Sequence, residues 1–209
     1  MGHEAIVLPL MEAIHKPQAA IDALDTPAGA IAVTSAEAIR ALTSIRENVL
    51  PHLSTVMLCV GRATAEAALQ FGFQSVGTCH GAGRGLATLV AEMFSRDFPD
   101  FPNIPRVGPG SLIYLAGAPR SPHFETALQE FGISYRVAEV YRMSSISYAP
   151  EAISTLFEMH HPDVVLFYSS ETARQFFRLV TPQMQTDLED VRLLCLSDQV
   201  ASAVPEGIR

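Results

Sequence analysis

The sequence predicts an α/β fold, built as two similar doubly wound parallel-sheet domains. Three features predict it: short apolar runs that alternate with amphipathic stretches, apolar runs that lack an alternating polar face, and an internal duplication. Apolar strands without alternation are typical of a parallel sheet that helices cover on both faces. The repeated strand–helix order then favours a doubly wound arrangement.

The individual elements follow from residue patterns along the chain. Ala36–Asn48, for example, carries apolar residues at helical spacing, which predicts one amphipathic helix. The Pro-rich stretch 99–110 predicts a surface loop, because proline disrupts helices and central strands. The strand candidates are Ala5–Leu10, Ala30–Val33, Thr55–Val60, Gln74–Gly77, Ser111–Leu115, Tyr135–Val140, Asp163–Phe167 and Arg192–Leu196. The other helix candidates are Thr64–Phe71, Leu86–Phe94, His123–Phe131, Pro150–Met159, Glu171–Leu179 and Gln199–Val204.

The duplication predicts the domain organisation. Residues 30–38 resemble 164–173, and residues 56–65 resemble 193–201, at an offset of about 135 residues. So long a period indicates two similar domains rather than a solenoid. We expect an inserted α/β domain at 15–136 and a discontinuous α/β domain made of 1–14 and 137–209.

The discontinuous domain is expected to be incomplete. Residues 2–12 also resemble residues 132–142. A strand and a helix precede the second of these two segments, whereas nothing precedes the first, and the copy at 193–201 ends earlier than the copy at 56–65. The chain therefore reads as shortened at both ends relative to a two-domain parent. Sheet edges left open in this way favour association with another chain.

Composition excludes several classes of function. The net charge of −8 disfavours nucleic-acid binding, which needs a basic surface. No apolar run is long enough for a transmembrane helix, and the first residues do not resemble a secretory signal, so no membrane association is expected. Cys59, Cys79 and Cys195 have no CxxC spacing, which argues against disulfides and against a zinc site. Cys59 and Cys195 lie inside apolar runs, which indicates core thiols in a reducing cytoplasm. No metal is expected.

Small polar residues or glycines follow several predicted strands. The carboxyl ends of parallel strands share one edge of a sheet, where free N–H groups of the following helices favour anions. The alternative is that serine and threonine only cap these helices. The candidate positions are Thr34, Ser35, Gly61, Thr64, Gly117, Ser169, Ser170 and Ser197.

Arginine and tyrosine add to this edge. Arg62, Arg84 and Arg120 fall in loops at the predicted edge, and guanidinium groups suit carboxylates or phosphates. They could equally be solvated surface residues. Tyr141 ends the strand expected to cross between the domains, where it is either functional or an interface aromatic with a satisfied hydroxyl.

The glycine-rich stretch Gly81–Gly85 matches no nucleotide-binding motif. It is not GxGxxG, and Lys16, the only lysine of the chain, lies far from it in sequence, so it is not a P-loop. We expect instead a flexible loop that lines a cleft.

These motifs together resemble the uroporphyrinogen-III synthase family. Each motif is weak alone, but their order and spacing over nearly the whole chain are specific. The matching segments are Gly2 with Leu8–Leu10, Ala32–Ser35 with Ala38–Ile39, Val60–Ala65, Gly72–Phe73, Leu115–Gly117 with Arg120, Val140–Tyr141, Phe167–Ser170 and Leu196–Ser197. The chain departs from the family at Asp198, where many members have a small residue, and at both ends.

The resemblance implies a fold and a function. The fold would be two α/β domains joined by a two-stranded linker, with the first domain built from both chain ends. The protein would be a monomeric lyase of tetrapyrrole (haem) biosynthesis that needs no cofactor. It would cyclise the linear tetrapyrrole hydroxymethylbilane to uroporphyrinogen III, inverting ring D, losing water and holding the substrate in a cleft between the domains.

The resemblance also assigns the candidate site. Tyr141 matches a family tyrosine, and as a phenol that stays protonated at neutral pH it is the expected proton donor. The expected substrate-binding residues are Thr34, Ser35, Gly61, Arg62, Thr64, Gly117, Arg120, Ser169, Ser170 and Ser197. Two other readings stay open: a non-catalytic binder of an anionic small molecule, and a sugar-nucleotide transferase, although no diphosphate-binding motif is visible.

Overall fold

The chain forms two compact units in a computed structural model, which describes residues 4–79, 81, 83–95, 111–181, 184 and 188–206. Unit 1 comprises Met1–Glu12 and Ser144–Arg209, and unit 2 comprises Ala13–Met143. The domain boundaries expected from the duplication, after residues 14 and 136, stay a prediction.

The described residues of unit 2 form a six-stranded sheet with the strand order β1-β6-β5-β2-β3-β4. Strand β2 runs parallel to both β3 and β5, β3 runs parallel to β4, and β5 runs parallel to β6. The α/β fold with a mainly parallel sheet is thus confirmed. The elements are β1 (Met11–His15), α1 (Pro17–Leu24), β2 (Ala28–Val33), α2 (Ala36–Arg40), α3 (Arg46–Val49), β3 (Val56–Val60), α4 (Arg62–Phe71), β4 (Val76–Cys79), α5 (Gly83–Phe94), β5 (Ser111–Ala118), α6 (His123–Glu130) and β6 (Tyr135–Ser145).

Helices cover both faces of the sheet in unit 2. Side chains of successive strand residues point to opposite faces, so Ile31 joins one buried cluster and Ala32 the other. Helices α1, α2 and α4 complete the first cluster, whereas α5 and α6 complete the second. Burial on both faces explains why the strands are apolar without alternation.

Unit 1 has a smaller, two-stranded parallel sheet. Its strands are β7 (Val164–Phe167) and β8 (Arg192–Cys195), and its helices are α7 (Pro150–His160), α8 (Ser170–Leu179) and α9 (Asp198–Ala201). Phe167 and Phe176 pack together in its core. On the other face of the sheet, Leu166 and Leu194 are about half exposed.

Two expectations for local structure are wrong. The strand expected at Ala5–Leu10 lies instead at Met11–His15, because Pro9 has no N–H for a strand ladder, and its carbonyl accepts a hydrogen bond from Tyr148 at 2.6 Å. The helix expected at Ala36–Asn48 is interrupted after Arg40 by a tight turn.

Two other expectations meet the limits of the described residues. Gly83 begins α5 and packs against Phe124, so the glycines there do not form only a flexible loop. The Pro-rich stretch 99–110 lies outside the described residues. Within the described part of the chain, no helix is long and apolar enough to span a membrane.

Candidate functional site

The strand order of the unit 2 sheet reverses beside β2. From β2 the chain continues to β3 and β4 on one side and then returns to β5 on the other side. Ligands of open α/β sheets bind beyond the carboxyl ends of the strands at such a reversal. Thr34 and Ser35 follow β2 at this edge, and Gly117 lies near the end of β5. The fold therefore brings sequence-predicted residues from distant segments to one edge.

Thr34 is held by a tyrosine that sequence reasoning missed. Its Oγ1 lies 3.1 Å from the hydroxyl of Tyr114, which projects from β5 and is only 1% exposed. Burial raises the pKa of Tyr114 above its ordinary value, although the hydrogen bond to Thr34 and the charge of Arg120 oppose this. The phenol is therefore protonated at neutral pH. The sequence does contain a signal for this residue: Tyr114 lies within an apolar strand, and a buried tyrosine needs a hydrogen-bond partner for its hydroxyl.

Ser35 caps helix α2. Its Oγ accepts a hydrogen bond of 3.2 Å from the backbone N–H of Glu37, so capping is one role of this hydroxyl. Glu37 in turn contacts His15 Nε2 at 2.7 Å and Arg40 Nη1 at 2.6 Å. Burial alone would raise the pKa of Glu37, but the hydrogen bonds from His15 and Arg40 bring it below its ordinary value. The carboxylate is thus ionised and charge-paired.

The residues after β3 form a second loop on the same edge. Gly61 adopts a positive φ of 73° and precedes helix α4, and Thr64 in the first turn of α4 is buried. The side chain of Arg62 is 91% exposed, and its Nε pairs with Glu66 of the same helix at 2.7 Å. Because Arg62 is so exposed and has this local partner, its geometry matches the solvated-surface alternative.

Arg120, Gly117 and Tyr141 come together beside β5. Arg120 Nε donates to Glu125 at 2.6 Å, and its Nη1 donates to the Gly117 carbonyl at 3.4 Å. The Arg120 Cζ lies 6.0 Å from the centroid of the Tyr114 ring. Tyr141 is the register partner of Gly117 on the neighbouring strand β6. Arg120 thus contacts both Tyr114, which bonds to Thr34, and the carbonyl of Gly117, the residue that pairs with Tyr141.

A cluster of charged side chains on and beside the Tyr141 strand was also not predicted from the sequence. Glu139 accepts from Arg142 Nη2 at 2.7 Å and from Lys16 Nζ at 2.5 Å. The hydrogen bond from Lys16, opposed by desolvation and supported by Arg142, lowers the pKa of Glu139. Lys16 lies 123 residues from Glu139 in sequence, so no local spacing could reveal the pair.

Unit 1 assembles its own polar edge at the carboxyl ends of β7 and β8. Ser169 Oγ accepts from the N–H of Thr172 at 3.1 Å, which caps α8, and Ser197 Oγ accepts from Val200 N–H at 3.4 Å, which caps α9. Ser170 Oγ donates to the Gln199 carbonyl at 2.9 Å and so ties the two helix ends together. The three serines predicted in this unit are therefore neighbours, and they belong to a different unit from Tyr141.

The sequence was compared with models of known protein families, and one of them identifies the family of this chain. The model described as uroporphyrinogen-III synthase HemD matches residues 1–207. The chain belongs to the uroporphyrinogen-III synthase family. Members of this family are lyases that act on hydroxymethylbilane in haem biosynthesis. The resemblance of the sequence motifs to this family is thereby confirmed.

Solved structures of synthases share the fold. The chain is similar to uroporphyrinogen-III synthetase from Helicobacter pylori, with 16% identity, a TM-score of 0.65, and coverage of 96% of this chain and 84% of that chain. It is also similar to a mutant uroporphyrinogen III synthase from the extremely thermophilic bacterium Thermus thermophilus, with 18% identity, a TM-score of 0.56, and coverage of 93% and 76%. No match was found among curated proteins.

The remaining candidate features of the chain are metal-ligating side chains, cysteines and a groove. Among the residues that the structure describes, no cluster of three or more His, Cys, Asp or Glu could hold a metal ion. Burial, with a smaller contribution from Cys79, raises the pKa of the Cys59 thiol to about 12, which makes it an inert core thiol. A groove of about 1020 Å³ in unit 1 is lined by β8, α9 and neighbouring residues, but not by any predicted site residue.

Proposed function

We propose that this chain cyclises hydroxymethylbilane to uroporphyrinogen III, with inversion of ring D and loss of water. The proposal depends on one observation above all: in a chain of this family, strand β5 connects the candidate groups, since its Tyr114 contacts Thr34 and Arg120 and its Gly117 pairs with Tyr141. These residues supply the two things that the reaction needs, which are donors for an anionic substrate and a neutral acid near a leaving hydroxyl.

The polar edge of each unit, taken by itself, offers donors for substrate carboxylates. In unit 2, Arg120 retains 29% exposure of its side chain while Glu125 holds it in place, so it can share its guanidinium with a substrate carboxylate. Backbone N–H groups of Gly61, Arg62 and the residues after Thr34 add neutral donors. In unit 1, the amides at the starts of α8 and α9, beside Ser169 and Ser197, do the same.

Tyr141 donates the proton that lets the hydroxyl leave. The electron-rich pyrrole pushes out the hydroxyl group of the substrate as its C–O bond breaks, and the phenol proton completes a water molecule. The resulting cation is attacked by ring D, giving a spiro intermediate that opens and recloses with that ring inverted. A proton lost from the ring carbon at closure restores the phenol, so the net reaction releases one water. A neutral phenol performs this step without adding a charge beside the carboxylates.

The proposal includes the finer architecture implied by the sequence. It comprises two similar α/β domains, the first formed from both chain ends, with β1 and β6 as the two-stranded linker. The internal duplication supports this organisation. A cytoplasmic location, the absence of a cofactor and a monomeric state remain parts of the same proposal.

Isomer analysis tests the proposal. Hydroxymethylbilane generated enzymatically is incubated with the protein, the product is oxidised, and the porphyrin isomers are separated. Closure without ring inversion gives isomer I, so a product dominated by isomer III supports the synthase. A product that stays isomer I, with substrate binding retained, would instead identify a non-catalytic binder, the alternative that family membership does not favour.

A further inference from the structure

A break in strand register lies beside Tyr141. Ala116 pairs with Glu139, but the next residue of β5, Gly117, pairs with Tyr141, which leaves Val140 without a partner on β5. The Val140 carbonyl instead accepts a hydrogen bond of 2.7 Å from Lys16 N–H. An extra residue of this kind is a β-bulge, which locally changes the direction of the side chains that follow it.

The bulge changes the face on which Tyr141 lies. Regular alternation would place Tyr141 on the face opposite to Val140. Val140 is fully buried in the core cluster that includes Ala138, and Tyr141 packs against this same cluster. Two consecutive residues of β6 thus face one core. The bulge therefore directs the Tyr141 ring across its neighbouring strand.

The ring occupies the space that a side chain at residue 117 would need. A Cβ placed on Gly117 would overlap Cζ and the hydroxyl oxygen of Tyr141 and would lie 2.6 Å from its Cε2. These contacts involve the hydroxyl-bearing end of the ring. The φ angle of Gly117 is not among the positive ones, unlike those of Gly61 and Gly132, so the backbone conformation does not itself require glycine. We therefore attribute the glycine at residue 117 to the space that the Tyr141 ring occupies.

Gly117 is itself fixed in place. Its carbonyl accepts the Arg120 hydrogen bond, and Arg120 is anchored by Glu125. The strand and this anchor prevent Gly117 from moving aside, so a larger side chain would displace the phenol rather than the backbone. From these observations we infer that Gly117 is a positioning residue: it holds the Tyr141 hydroxyl at the site by leaving room for the ring. The inference deepens the proposed function and rests on the role proposed there for Tyr141.

The test compares Gly117→Ala with Gly132→Ala. A Cβ at Gly132 meets no atom within 4 Å, but its φ of +67° makes alanine strained, so this control reports the general cost of removing a glycine. Tyrosine ring resonances from selectively labelled protein are recorded for the parent and both variants, with Tyr141→Phe to assign the Tyr141 signal. We expect a shifted Tyr141 resonance in Gly117→Ala only. An unshifted resonance overturns the inference.

Turnover supplies a second readout. We expect Gly117→Ala to lower kcat by about ten- to a hundredfold with KM changed less than about threefold, within the range of general-acid effects. In a Tyr141→Phe background the same change should lower kcat much less, because the acid is already absent. If the two substitutions instead lower kcat independently, so that their fold-changes multiply in the double variant, the inference is contradicted. If Tyr141→Phe alone keeps full turnover, the proposed acid role fails, and the resonance shift still decides the positioning.

A stability measurement covers the case in which Gly117→Ala folds poorly. The three atoms nearest to such a Cβ all belong to the end of the Tyr141 ring, so Tyr141→Ala relieves these contacts. The loss of unfolding free energy caused by Gly117→Ala should therefore be smaller in the Tyr141→Ala background than in the parent. An equal loss in both backgrounds would show that Gly117 serves the backbone and not Tyr141.

Discussion

The hydroxyls of Thr34 and Tyr114 lie 3.1 Å apart across the point where the sheet reverses its strand order. Thr34 leaves the end of β2, and Tyr114 comes from the middle of β5, 80 residues later. The bond gives the buried phenol its partner and fixes the first residue of the loop at the proposed binding edge. The hydrogen bond thus connects β2 and β5, two strands that are distant in sequence, at the edge where the substrate is proposed to bind.

Removing the Tyr114 hydroxyl should lower stability. We expect Tyr114→Phe to reduce the free energy of unfolding by about 1–2 kcal/mol, because Thr34 loses its partner while the ring packing against Phe124 is kept. Urea denaturation measures the change. Thr34→Val and the double variant complete a cycle, and strictly additive losses would show that the two hydroxyls do not interact.

Removing the Tyr141 hydroxyl should affect chemistry and not folding. We expect Tyr141→Phe to lower kcat by about ten- to a thousandfold with KM nearly unchanged, because general-acid catalysis is lost. Tyr135→Phe is the matched control, since Tyr135 lies on the same strand and its hydroxyl accepts only a side-chain hydrogen bond from Gln129 among the described contacts. Parent-like turnover of Tyr141→Phe would assign the proton to water or to the substrate's own acids.

The serine that caps α2 should matter for stability more than for binding. We expect Ser35→Ala to lower the free energy of unfolding by about 1 kcal/mol, because the N–H of Glu37 loses its acceptor. Turnover should change little, since backbone amides survive the substitution. Ser35→Asn, which can still cap, should recover most of the stability. A loss of several orders of magnitude in kcat with intact folding would instead give the hydroxyl a chemical role.

The ion pairs of Glu37 predict a pH dependence of stability. Its pKa is lower in the folded chain than the ordinary value of a glutamate side chain, because His15 and Arg40 donate hydrogen bonds to the carboxylate. Folding therefore favours the carboxylate, and this stabilisation is fully present above the ordinary pKa and is lost as the pH falls through the folded-state pKa. We expect the stability difference between the parent and Glu37→Gln to be constant near neutral pH and to shrink on acidification.

Urea denaturation between about pH 7 and pH 3 measures this difference. Glu92→Gln is the control, because Glu92 is an exposed carboxylate on α5 of the same unit. If Glu37→Gln still lowers the free energy of unfolding by the same amount at about pH 3, the destabilisation comes from lost packing and not from lost charge.

The sequence alone determined the fold class, the family and most of the strands, although it misplaced the first strand and ended β6 at Val140 rather than at Ser145. Apolar strands and helical spacing depend on residues close in sequence, and Thr34, Gly117 and Tyr141 could be selected because they follow or end such strands. Their motifs keep order and spacing along the chain, which is the information that a family resemblance uses.

Only the tertiary structure decided what these residues contact. Strand order brought Tyr114 to Thr34, and a one-residue bulge turned Tyr141 over Gly117. It also joined Lys16 to Glu139, which lie 123 residues apart in the sequence. Pairing between distant strands depends on the packing of the whole sheet, and a single-residue shift in register reverses the face on which a side chain lies. No local pattern records that shift.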